Sequence, residues 1–211
     1  MPDNMQNLTA CGLSIFLVLS AGAFGQPVQD HYPSGQVRST GLLQDGHKSG
    51  KWLYYYPTGE LNVVEHFEHG KLHGEVVYHY RSGKLEGKEI WKNGVLSDSA
   101  FYFHENGKLY RFGVYKQGMY AGLWKYFYDN GNIDRHVNYE KGMPQGVVRQ
   151  YNREGILIQQ GFYHEGKEHG EWKFFDNQGR MTFSGSYENG ERVGEWYQYD
   201  RKGKQRKWKY K

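Results

Sequence analysis

Apolar and polar side chains along this chain come in short β-rich runs closed by turn signals. Residues 51–56 form one such run, stopped by Pro57-Thr58-Gly59, and residues 60–67 form a second, stopped by Glu68-His69-Gly70. The same two runs return every 24 residues. Gly59, Gly83, Gly107, Gly131, Gly155, Gly179 and Gly203 keep that spacing, as do Gly46, Gly70, Gly94, Gly118, Gly142, Gly166 and Gly190. A third series, Gly50, Gly74, Gly122, Gly146, Gly170 and Gly194, is broken only by Asp98. Internal periodicity of this length marks a repeat architecture with two strands per unit.

Larger side chains keep the register. Phe67, Trp91, Tyr115, Tyr139, Tyr163 and Tyr187 form an aromatic column, and Leu61, Leu85, Leu109, Ile133, Leu157 and Met181 an aliphatic one. Trp52, Trp124, Trp172 and Trp196 each follow a glycine by 11 residues, namely Gly41, Gly113, Gly161 and Gly185. Where the Trp site holds Val76, Ala100 or Val148, the residue 11 earlier is Glu65, Glu89 or Val137, never glycine. The second strand of one unit is therefore expected to pair with the first strand of the next, each indole lying over a strand glycine. The expected fold is all-β: an elongated, twisted antiparallel β-hairpin ribbon, about 75 Å long at ~4.8 Å per strand. Its first copy begins at Gln26, and that copy and the unfinished unit at 194–211 are expected to act as caps.

Composition agrees with an open structure. Glycine is 29 of 211 residues and aromatics 17%, against a hydrophobic total of 37%, so apolar area rests on rings that tolerate partial exposure. The net charge is +4, with Lys and Arg interspersed among Asp and Glu except in the tail from Arg201 to Lys211. That pattern is a solvated surface and not a nucleic-acid footprint. The single cysteine, Cys11, leaves the repeats without thiols, which excludes disulfides, cysteine-ligated metals and cysteine nucleophiles there. Leu8 to Phe24 is uncharged and Ala23-Phe24-Gly25 has the form of a signal-peptidase site, so residues 1–25 read as a signal peptide and the protein as exported. An uncleaved anchor is the alternative. Leu8-Thr9-Ala10-Cys11 spells a lipobox, but at the beginning of the apolar stretch and not at its end.

The unit reads G-x-W-x-Y/F-Y/F-x-x-x-G-x-L followed by Y-x-x-G-x-x-x-G, with Gly170 to Gly179 and Tyr187 to Gly194 as clear instances. It resembles the bacterial MORN-repeat variant, whose members are often labelled YwqK-family antitoxins. The resemblance spans 26–211 and implies a twisted hairpin ribbon used as an interaction platform, in some members linked to membranes or lipids.

No chemistry-bearing constellation matches an established motif. His66, His69 and His73 lie close in sequence but without zinc spacing. Asp176 and Asp200 are equivalent in successive repeats, ~10 Å apart on a ribbon, and a single layer is expected to offer no cleft that would make them an acid/base pair. The expectation is a non-enzymatic scaffold without metal, cofactor or nucleic acid, binding a protein partner or, alternatively, an envelope glycan or lipid. The candidate surface is the aromatic stripe of Trp52, Trp124, Trp172 and Trp196 with Phe67, Trp91, Tyr115, Tyr139, Tyr163 and Tyr187, whose other reading is structural.

Overall fold

A computed structural model describes residues 25–209. The segment read as a signal peptide, Cys11 included, and the last two residues lie outside the described residues. All regular structure described is β. The strands are β1 (Gln26–His31), β2 (Val37–Gln44), β3 (His47–Tyr55), β4 (Leu61–Glu68), β5 (Lys71–Leu72), β6 (Gly74–His79), β7 (Leu85–Lys92), β8 (Val95–Phe103) and β9 (Leu109–Lys116). They continue as β10 (Met119–Phe127), β11 (Ile133–Glu140), β12 (Met143–Pro144), β13 (Gly146–Tyr151), β14 (Leu157–His164), β15 (Lys167–Phe175), β16 (Met181–Glu188), β17 (Glu191–Tyr199) and β18 (Gln205–Trp208). β5 and β6 are one strand interrupted at His73, and β12 and β13 one strand interrupted at Gln145.

Counting each interrupted strand as one, every strand pairs antiparallel with its sequence neighbours, so the described residues form one open meander, a single sheet of 18 segments. Two alternating turns build it. In the first, a two-residue loop such as Asn189-Gly190 has both residues at positive φ, 52° and 87°, the geometry that matches the twist of the flanking strands. In the second, Gly59 donates its N–H to Tyr56 O (2.9 Å) while Tyr56 N–H bonds Glu60 O (2.8 Å).

The third glycine series marks a bulge near the start of each first strand. Gly122 there has φ 63°, and Asp98, where the glycine series breaks, adopts φ 61°; the backbone requirement survives the loss of the glycine. Facing the bulge, the register of the preceding strand shifts between Thr40 and Leu42, and the indole of Trp52 fills the gap over Gly41. A Cβ on Gly41, Gly113, Gly161 or Gly185 would stand 2.1–2.3 Å from the ring of Trp52, Trp124, Trp172 or Trp196. Three of these indoles also donate to the carbonyl after the glycine: Trp52 to Leu42 O and Trp124 to Val114 O at 3.1 Å, and Trp196 to Ser186 O at 3.2 Å.

A second periodic tie runs along the other rim. Tyr32, Tyr56, Tyr80 and Tyr128 donate their hydroxyls, and His104 its Nε2–H, to the carbonyl 23 residues later, at 2.6–2.9 Å. From Asn152 onward the column changes to residues that cap their own turn. Asp176 Oδ1 accepts from Gln178 N–H (2.9 Å) and Arg180 N–H (3.0 Å), and Asp200 does the same with Lys202 and Lys204. Turn capping, not acid/base work, is where these two carboxylates are engaged.

At the C-terminal end β18 pairs without the bulge found in the other second strands, so Trp208 stands opposite Trp196. Its ring lies 6.2 Å from that of Trp196 and 5.2 Å from Phe183, closing the row of tryptophans with another indole.

Candidate functional site

Strand alternation divides the ribbon into two faces, and the tryptophans define one of them. That face is closed over itself. Trp52, Trp124, Trp172 and Trp196 are 0–5% exposed, so they do not form an open row of rings, and of the two readings given to these four residues their burial fits the structural one. Their burial comes from the glycine column beneath and from the aromatic column beside them. Phe67 meets Trp52 edge-on at 6.2 Å, Tyr115 meets Trp124 at 5.0 Å, and Tyr163 and Tyr187 flank Trp172 at 5.3 and 5.8 Å. Tyr139 stacks on Tyr120 at 5.0 Å and Trp91 turns its Nε1–H to Glu89 at 3.0 Å. Of this column only Tyr115 is buried; the others are half-buried. Burial lifts the Tyr115 hydroxyl to about 12, and it raises Tyr163 as well.

Most of the large exposed apolar side chains lie on the opposite face; Tyr110, 40% exposed, instead lines a groove with Tyr78 and Arg111. Leu42, Val95, Phe101, Val114, Met119, Leu123, Met143 and Val147 are 39–50% exposed, and each is the chain neighbour of a residue turned to the tryptophan face. Seven of the eight belong to β8–β13. There Phe101, Phe112 and Phe127 stack at 5.9 and 6.1 Å, Ser99 stands opposite Val114, and Leu123 opposite Asn138. Val95, Met119 and Met143 line the hairpin rim, Met119 and Met143 packing against Gly142 and Gly166 of the next turns.

Basic side chains border this surface. Lys125, His136 and Arg149 face one another on three successive strands, β10, β11 and β13. Burial, then Lys125 and Arg149, hold the His136 pKa below the ordinary imidazole value. The sequence carried the signal for this surface in Leu123, Val147, Met119 and Met143, apolar residues at columns that elsewhere hold Lys51, Glu75, Glu171 or Lys167.

Of the histidines flagged in the sequence, His66 and His73 are cross-strand neighbours, His73 N–H bonding His66 O at 2.8 Å, but their rings engage different groups: His66 Nδ1 meets Glu75 O at 2.8 Å and His73 Nδ1 lies 3.2 Å from the Glu68 carboxylate. Among the described residues no group of three or more His, Cys, Asp or Glu is arranged to hold a metal ion. Shallow grooves occur on the ribbon, one of about 570 Å³ beside β1–β3 and another of about 440 Å³ between Tyr78 and Arg111. The second is lined by Tyr78, Gly87, Glu89, Tyr102, Tyr110 and Arg111 among others.

Three stretches of the chain, 48–69, 72–93 and 121–141, match the family model described as MORN repeat variant. The matches fall in phase with the 24-residue unit and cover just under a third of the chain. No curated protein matches it. A solved structure, a point mutant of S. aureus TarM in complex with fondaparinux, alpha-GlcNAc-glycerol and UDP, aligns at 18% identity and a TM-score of 0.32, over 51% of this chain. The aligned part is 21% of that protein's length.

Proposed function

We propose that the protein is an exported, non-enzymatic scaffold that binds a partner protein across the face opposite the tryptophans, between β8 and β13. The observation that carries this reading is the concentration of exposed apolar side chains on that face in the middle repeats. The tryptophan face supplies the ribbon's cohesion, and nothing in that cohesion calls for Leu123 or Val147, each 50% exposed. Lys125 and Arg149 beside them favour a partner segment that is apolar with an acidic flank. The MORN-variant matches at three repeats fit a repeat platform, and the apolar stretch 8–24 motivates export.

The test is a pair of substitutions, Leu123→Glu and Val147→Glu, used in photo-crosslinking from Phe101 in cells that make the protein. Both positions are half in solvent, so the thermal midpoint is expected to stay unchanged while the crosslinked partner is lost. Retention of the partner by the double variant would refute the placement. Co-sedimentation with envelope fractions or liposomes, abolished by the same substitutions, would instead favour the glycan or lipid reading.

A further inference from the structure

Three successive repeats place a tyrosine of the first strand opposite the same position of the second: Tyr78 opposite Gly87, Tyr102 opposite Arg111, and Tyr126 opposite Arg135. The two arginines lie over the tyrosines they face, with guanidinium carbons 4.3 and 4.4 Å from the ring centroids of Tyr102 and Tyr126. Tyr54, one repeat earlier, is covered by the Lys48 ammonium at 5.0 Å. Among the described residues no cation lies over Tyr78, alone of these four. Glycine stands where the arginine would be.

What Tyr78 does have is a carboxylate. Glu89 follows Gly87 by two residues on the same face, at the column that holds Gly113, Val137 and Gly161 in later repeats. It is 9% exposed. Its Oε2 accepts from the Tyr78 hydroxyl (2.9 Å) and the Trp91 indole (3.0 Å), and its Oε1 accepts from the Tyr102 hydroxyl (2.6 Å). All three donors are neutral, and no Lys, Arg or His lies within ion-pair distance of it among the described residues. A buried carboxylate is stabilised most strongly by a cationic donor, and an aromatic face beside it adds a second attraction for the same charge. The groove of about 440 Å³ over Tyr78, Gly87 and Glu89 gives room for one.

We infer that this groove is a binding site for a guanidinium or ammonium side chain, best an arginine, presented by a partner protein. The guest lies on the Tyr78 ring as Arg111 lies on Tyr102 and directs its N–H groups to the lone pairs that Glu89 Oε1 keeps. Arginine is favoured because its flat fork can stack and bond at once, and because the ribbon itself uses arginine at this column twice. The surface is separate from the apolar face proposed above, on the other side of the sheet.

The experiment is an NMR titration of the full chain, labelled with nitrogen-15, with glycyl-arginyl-glycine amide and with its citrulline counterpart, which keeps the shape and loses the charge. The Trp91 indole N–H, bonded to Glu89, is the reporter. The arginine peptide is expected to shift it saturably and the citrulline peptide not to. Glu89→Gln should weaken the arginine peptide at least tenfold. Gly87→Arg, which supplies the cation from within as at position 111, should abolish binding while retaining the dispersed spectrum of the fold. Equal shifts from the two peptides, or unchanged arginine binding by Gly87→Arg, would overturn the inference, as would the absence of any shift at the Trp91 indole in the wild-type chain. Leu123→Glu leaves this titration unaltered, so failure here and failure of the opposite-face reading are told apart.

Discussion

Gly113→Ala isolates the contact on which the ribbon's cohesion depends. The φ of Gly113 is not in the left-handed region, so alanine meets no backbone obstacle there. The obstacle is the ring: an added Cβ would lie 2.3 Å from Cδ2 and Cε2 of Trp124, where carbon atoms normally keep ~3.5–4.0 Å. Trp124 is fully buried and wedged by Tyr115 and Tyr120 at 5.0 and 4.5 Å, so the ring must rise by more than an ångström against those neighbours. Overpacking of this kind costs about 1–3 kcal/mol. Lifting the indole also stretches its hydrogen bond to Val114 O, now 3.1 Å, a further loss of about 0.5–1.5 kcal/mol. The expected total is about 2–4 kcal/mol, read from the urea midpoint followed by tryptophan fluorescence. Gly122→Ala is the control: φ is 63° and nothing lies within 4 Å of its added Cβ, so only backbone strain of about 1–2 kcal/mol is expected. In the double variant Gly113→Ala/Trp124→Leu the smaller side chain leaves room for the methyl group. The two effects must then fall short of additivity by about 1 kcal/mol or more. A Gly113→Ala protein within ~0.5 kcal/mol of wild type, the usual scatter of inconsequential substitutions, or additive energies in the double variant, would refute the account.

Two further outcomes follow from single positions. Asp98→Gly removes a Cβ from a residue held at φ 61° and is expected to raise the thermal midpoint, because the left-handed strain released exceeds the weak local bonds that Asp98 Oδ1 accepts from the N–H and hydroxyl of Ser99; a lowered midpoint contradicts that balance. The depressed pKa of His136 means the unfolded chain binds the proton first as pH falls. Its contribution is therefore fully present above the unfolded value of about 6.5 and is lost as the medium is acidified toward the lower folded value. Urea midpoints of wild type and His136→Gln, followed from neutral pH down through that window, should show the wild type falling relative to the variant on acidification; parallel curves would refute it.

Much of this was legible in the sequence because the physics left few alternatives. Glycines at Gly46 and its repeats sit where the chain needs positive φ, and Gly41, Gly113, Gly161 and Gly185 sit where an indole takes the place of a side chain; both requirements write a period into the sequence. Period alone reports that two faces exist without saying which is covered by its own rings. The sequence therefore left Trp52, Trp124, Trp172 and Trp196 between a binding stripe and a structural row, and burial favours the second, since a tryptophan laid flat over glycine is buried by the same contact that reveals it. The tyrosine tie at positions 32, 56, 80 and 128 was available as a column and is explained by the 23-residue reach of each hydroxyl to the next turn. The groove at Glu89 is legible in retrospect only by comparing it with the repeats that follow: Gly87 where the next two repeats carry arginine, and a carboxylate where later repeats carry glycine or valine.

A single sheet cannot bury apolar area against a second layer, as most domains do, and this ribbon resolves the problem within one face. The bulge at each third-series residue gives the indole room to lie along the strand, the glycine beneath removes the side chain it would strike, and the aromatic column closes its edge. That solution uses one face of each unit and leaves the other free of any packing demand. Polar residues suffice there, and in the outer repeats they prevail, as at Lys51, Glu75, Glu171 and Glu195. The change to Leu123 and Val147 at the same column in the middle of the array therefore has no counterpart in the ribbon's own stability. By the same logic Glu89 sits where the closed face departs from its rule, as it also does at Glu65 and Val137, and there it places a buried carboxylate among neutral donors. In a repeat array stability acts alike on every unit, so the positions where units differ are the ones to test for what the protein binds.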